Sequence, residues 1–164
     1  MAAQAWGRAY VTERSTASAS TAQLASWIDH TVWHDTAGLV AGLQDDVDAS
    51  YSMRRVLEEA IAEHAQRLET DYHHGRRWPD ADKLDRTGIN PRTRDAGDTE
   101  LLQSWIQTSV RRRCYGVVNG LKSVVDGYTV RTFLEDALRV YKVRMERQHA
   151  RTWPPVEQLR RGRR

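Results

Sequence analysis

The sequence of 164 residues predicts a mainly α-helical fold built twice over, each copy a short strand, a short helix and a long helix. Three observations carry that expectation: an internal duplication, apolar residues recurring every three or four positions behind capping signals, and a short alternating stretch ahead of them. The duplication is seen where Thr21 to Ile28 (TAQLASWI) returns as Thr99 to Ile106 (TELLQSWI), a spacing of 78 between Trp27 and Trp105. In the same register Val32 returns as Val110, Gly38 as Gly116, Gly42 as Gly120, Leu43 as Leu121 and Val47 as Val125. One deletion later the spacing is 77, and Tyr51 to Ile61 (YSMRRVLEEAI) returns as Tyr128 to Leu138 (YTVRTFLEDAL). Trp78-Pro79 and Leu84 recur as Trp153-Pro154 and Leu159, at a spacing of 75.

Each element has its own reason. Ile106, Thr108 and Val110 alternate with Gln107, Ser109 and Arg111, which fits a short strand with two unlike faces. The same region fits a helix, because Leu102, Ile106, Val110 and Cys114 fall at steps of four, and an all-α alternative of helical hairpins stays open. A short helix follows, with the stripe Val117, Val118, Leu121, Val124 and Val125, mirrored by Leu39, Val40, Leu43 and Val47. After the break at Asp126-Gly127-Tyr128, Thr129 caps a long helix that turns Val130, Phe133, Leu134, Ala137, Leu138, Tyr141 and Met145 to one side. Its counterpart runs from Ser52 through Met53, Val56, Leu57, Ala60, Ile61, His64 and Leu68 to a stop near His74-Gly75. The chain divides into a disordered Ser/Thr/Ala-rich arm over 1–20, a first repeat over 21–90, a linker over 91–98, a second repeat over 99–155 and a basic tail over 156–164.

Composition excludes several classes. No run approaches the roughly 18 apolar residues of a membrane span, and no basic stretch plus apolar core follows Met1 as in a secretory signal, so a cytoplasmic protein is expected. Lone Cys114 cannot close a disulfide within the chain and reads as an apolar filler. There is no Gly-rich phosphate loop and no Ser-His-Asp set; Glu58-Glu59 and Glu135-Asp136 are adjacent on helices and so do not face one another. No enzymatic activity and no cofactor are expected. His30 and His34 lie one helical turn apart, and His64, His73 and His74 lie near Glu63 and Asp71; without a recognised ligand pattern they read as structural or surface residues, and no metal is expected. Trp27 and Trp105 read as core, and Trp78 and Trp153 as pins where each long helix ends.

The two copies differ in charge. Residues 20–90 hold 7 Lys/Arg against 13 Asp/Glu, a balance of −6, whereas residues 98–164 hold 14 against 7, a balance of +7. Together with the terminal Arg160 to Arg164 (RRGRR), this assigns an acidic partner to the second copy.

A strand, a short helix, a turn opening with Ser or Thr, and a long helix carrying Leu134 to Leu138 (LEDAL) resemble the ribbon-helix-helix DNA-binding fold, over roughly residues 106–148 and more weakly 28–74. The ends of the copies, Gly75 to Pro79 (GRRWP) and Thr152 to Pro155 (TWPP) before an Arg-rich tail, resemble actinobacterial plasmid partition proteins of the ParB-like, centromere-binding kind. The resemblance implies an antiparallel ribbon lying in the major groove of double-stranded DNA, with Gln107, Ser109 and Arg111 reading base edges and Arg113 near the strand end. It implies phosphate contacts at the helix start, Tyr128, Thr129 and Val130, and from Lys122 and Arg131. The aligned positions of the first copy, Asp29, Thr31 and Trp33, do not suit the same task. That copy is expected either to pair with the second inside one chain or to stand apart while second copies pair as a homodimer. The implied role is a centromere-binding partition protein or transcriptional autorepressor, nucleoid- or plasmid-associated, with the arm able to engage a ParA-type ATPase. The rival reading is a helical scaffold whose basic face binds an acidic protein.

Overall fold

The computed structural model describes residues 20–85 and 98–156. Residues 1–19, 86–97 and 157–164 lie outside that range, and with them most of the expected arm, linker and tail and the last five residues of the expected first repeat. Each copy is one strand and two helices: β1 (Thr21–Asp29), α1 (His30–Asp46) and α2 (Met53–Tyr72), then β2 (Thr99–Gln107), α3 (Thr108–Lys122) and α4 (Val130–Gln148). The fold is therefore mixed but mainly helical, with one two-stranded antiparallel sheet.

That sheet joins the two copies. Thr21 pairs with Gln107, Ala25 with Gln103 and Asp29 with Thr99. Ala25 and Gln103 are 78 residues apart, the spacing of the duplication, so a pseudo-twofold axis passes through the middle of the ribbon. The hydrogen bonds that close its two ends obey the same symmetry: the His30 N–H donates to the Asp98 carbonyl (2.9 Å) and the Thr108 N–H to the Ser20 carbonyl (2.7 Å).

The strand lies upstream of its expected place. Residues 108–113, expected in the strand, form the first turns of α3, and the strand is the TELLQSWIQ segment before them. Both first helices are accordingly longer than expected and begin directly after their strands. Val124 and Val125 lie beyond the end of α3.

The long helices form as their sequences require. Ser52 Oγ accepts the Arg55 N–H (3.1 Å) and Thr129 Oγ1 the Thr132 N–H (3.2 Å), each satisfying a donor that the helix start leaves without an intrahelical partner. The chain leaves α2 through His74 and Gly75, both in left-handed conformation, and enters α4 through Gly127 in the same region (φ 70°). One core is shared by all six elements: Leu24, Ile28, Leu102 and Ile106 under the ribbon, Leu39, Leu43, Val117 and Leu121 from the first helices, and Leu57, Ile61, Phe133 and Leu134 from the long ones.

The segments after the long helices exchange between copies. Trp78 packs on Gly120 of α3 and Trp153 on Gly42 of α1, where an added Cβ would come 2.5 Å and 2.0 Å from the indole rings. Parallel backbone bonds fix these straps, Ala81 N–H to the Arg112 carbonyl (3.1 Å) and Val156 N–H to the His34 carbonyl (3.2 Å). Both tryptophans are buried, as pins should be.

Candidate nucleic-acid interface

Period-two alternation divides the ribbon into two faces. Leu24, Ile28, Leu102 and Ile106 turn into the core, and Gln23, Ala25, Trp27, Leu101, Gln103 and Trp105 turn outward. No described residue covers that outer face: Trp27 keeps 51% of its surface, Leu101 42% and Trp105 60%. Trp27 and Trp105 are thus not core residues. Both tryptophans recur by symmetry, whereas Gln23 is matched by Leu101 and Ala25 by Gln103, so the face is symmetric in its tryptophans and asymmetric in its glutamines.

The long helices flank this ribbon. Glu58 Oε1 in α2 accepts the Gln107 N–H (2.9 Å), and its counterpart Glu135 Oε1 in α4 accepts the Asp29 N–H (2.8 Å). One turn earlier, Arg54 and Arg131 pair with the same carboxylates at 2.8 and 2.9 Å. The Asp29 carboxylate caps α1, accepting from Thr31 N–H (2.8 Å) and Val32 N–H (3.4 Å).

The residues expected to read DNA are dispersed by the shifted strand. Gln107 ends β2 and is exposed, and Ser109 is exposed on the first turn of α3. Arg111 reaches back to the edge of β1, donating from Nη1 to the Gln23 carbonyl (3.0 Å). Arg113 is turned inward, its Nη2 2.5 Å from Glu69 Oε1. Glu69 is itself only 3% exposed, and its other oxygen accepts the Trp78 N–H at 3.0 Å. Lys122 Nζ donates to the Asp85 carbonyl at the far end of α3. Tyr128 is buried, which pushes its phenol pKa up, with the Asp136 charge adding to the shift, and its hydroxyl has no hydrogen-bond partner among the described residues. Thr129 and Arg131 stand at the start of α4, as expected. The ribbon places only Gln107 of the eight on its outer face.

The basic excess of the second copy faces the acidic first copy to a large extent. Besides Arg113–Glu69, Arg112 pairs with Asp82 (2.8 Å), Arg144 with Glu63 (2.5 Å) and Arg151 with Asp46 (3.1 Å). Opposite signs on the two copies therefore belong first to their mutual packing.

Of the six outward residues, the sequence singles out Trp27 and Trp105 but assigns them to the core, and it does not single out Gln23, Ala25, Leu101 or Gln103. The signal was present as the segment best kept between copies, Thr21 to Ile28 against Thr99 to Ile106. No helix of the described residues is long and apolar enough to cross a membrane. Comparison with family models, with curated proteins and with solved structures returns no significant match.

Proposed function

We propose that the chain is a single-chain ribbon-helix-helix pseudo-dimer that binds double-stranded DNA through the outer face of β1 and β2. The observation that carries this reading is the uncovered two-stranded ribbon with a pseudo-twofold axis at its centre and a long helix beside each end. A two-stranded ribbon has the width that a major groove admits, about 12 Å. Gln23 and Gln103 offer the donor and acceptor pair that suits adenine, and Trp27, Trp105 and Leu101 offer apolar contact to thymine methyl groups. Amides in the first turns of α2 and α4 lack intrahelical partners and suit phosphates, with Arg54 and Arg131 beside them. Because Gln23 and Gln103 have no amide counterpart, the preferred site is an imperfect palindrome. Partition or autorepression is the biological use the resemblance suggests, without catalysis; an ATPase contact would fall on residues outside those described.

A gel shift on native flanking DNA against random DNA, at two salt concentrations, tests this. Gln103→Ala should cut the preference for the native site by about 1–3 kcal/mol at one base pair, while Arg131→Ala should weaken all sequences alike and flatten the salt dependence. A second reading rests on the same face: it carries two exposed tryptophans, a leucine and no cation, which also suits an apolar protein surface. Retention of a protein partner after Gln103→Ala, its loss after Trp105→Ala, and no salt-dependent DNA binding would favour that reading.

A further inference from the structure

We propose that the protein binds one divalent transition-metal ion, of the zinc class, at the corner formed by His30 and His34 of α1 and Glu100 of β2. One ligand atom from each of the three lies within 4.8 Å of the others. His30 Nδ1 is 3.1 Å and His34 Nε2 3.8 Å from the same carboxylate oxygen, Glu100 Oε1. A four-residue step on one helix face sets the two imidazoles on the same side, their centroids 4.0 Å apart and their planes tilted by 49°.

His34 supplies an independent observation. Its Nδ1 lies 3.0 Å from the Val156 carbonyl oxygen, which can only accept, so Nδ1 carries the hydrogen. In the neutral ring its Nε2 then carries the lone pair; that atom is buried, has no hydrogen-bond partner among the described residues, and lies 3.8 Å from the Glu100 carboxylate. In the neutral ring two acceptors thus face one another at 3.8 Å, an arrangement that a cation between them would stabilise. An imidazole whose second nitrogen donates to a backbone carbonyl is also the arrangement that orients metal-ligating histidines. Tetrahedral zinc with bonds of about 2.0–2.1 Å sets ligand atoms about 3.4 Å apart, so small side-chain rotations complete the set. His30 and Glu100 are partly exposed, which leaves the fourth position to water.

The pseudo-twofold shows that the fold does not demand these residues. The positions equivalent to His30, His34 and Glu100 are Thr108, Arg112 and Ala22, and Arg112 there makes an ion pair with Asp82. One corner of the molecule is thus closed by an ion pair and the other is built from ligands. The metal would tie α1 of the first copy to β2 of the second, with the strap held through Val156. This inference does not depend on what the ribbon binds.

The test uses untagged full-length protein, titrated with Zn²⁺ in competition with a chromophoric chelator and separately with Co²⁺ for its visible absorption. One equivalent per chain is expected, with a rise in Tm. His30→Ala and Glu100→Gln, both at partly exposed side chains, should weaken uptake at least about tenfold and abolish the Tm rise. His73→Ala, a histidine on the other strap, should leave both unchanged. Absence of competition by the wild-type protein, or equal uptake by the wild type and the two corner variants, would overturn the proposal.

Discussion

His64 and Tyr141 occupy equivalent positions on α2 and α4, and the fold treats them differently. Tyr141 donates its hydroxyl to Glu59 across the copies. His64 packs its ring on Phe133 at 5.0 Å and takes a hydrogen bond from Arg67 at Nδ1 (3.0 Å), while its Nε2 is buried with no partner among the described residues. Burial, reinforced by the Arg67 charge and only partly opposed by Asp71, pushes its pKa down to about 4. A histidine depressed in this way gains its proton in the unfolded chain before it does in the folded one. Its contribution is therefore complete above the ordinary histidine value and is lost as pH falls from there toward about 4. His64→Leu should flatten that acid limb when urea midpoints are measured from pH 7 to pH 4; an unchanged slope would remove His64 from the account. This burial was legible from spacing, since His64 sits in the apolar stripe of α2. The inward turn of Arg113 was not, because nothing in a run of three arginines tells which one meets a buried carboxylate.

Among elements, the first helices show how close packing reverses a propensity. Gly38 and Gly116 occupy equivalent positions inside α1 and α3, where alanine would by itself be worth about 1 kcal/mol to the helix. A Cβ at Gly38 would sit 2.0 Å from the Pro154 carbonyl oxygen, and one at Gly116 2.2 Å from that of Pro79. Backbone cannot swing aside as a side chain can. Gly38→Ala and Gly116→Ala should therefore each destabilise by about 1–3 kcal/mol or more, read as a lower denaturant midpoint at unchanged slope. A gain in stability would show that the straps detach without consequence. The place where β2 gives way to α3 is hidden by the spacing of the apolar residues. Leu102, Ile106, Val110 and Cys114 are four residues apart, and a step of four keeps a strand residue on its face and very nearly keeps a helix residue on its own. The stripe therefore runs unbroken through the junction at Gln107, and its spacing cannot say where strand becomes helix. Trp27 beside Ile28 and Trp105 beside Ile106 also mask the alternation, because the outer face carries aromatic residues where polar ones would have marked it.

For the whole molecule, the two copies are interlocked twice, once through the ribbon and once through exchanged straps. Neither copy encloses a core alone, so the chain should unfold in one transition that coincides by different probes. Expressed as separate fragments, 20–90 and 98–164, the copies should fail to fold singly. Mixed together they should form a 1:1 complex, because like pairs would set balances of −6 on −6 or +7 on +7 while the unlike pair regains Arg113–Glu69 and Arg144–Glu63. Sedimentation of the mixture checks this; a folded homodimer of either fragment would contradict it. By itself the sequence determined what depends on neighbours along the chain: the duplication, the capped long helices with their buried stripes, and the tryptophan pins. Only the tertiary structure decided which strand pairs with which, that the tryptophans of the ribbon face outward, and where the arginines of the second copy go. Those outcomes depend on residues brought together from some 80 positions away, such as Ala25 and Gln103. Local spacing can restrict such pairings but carries no record of the partner.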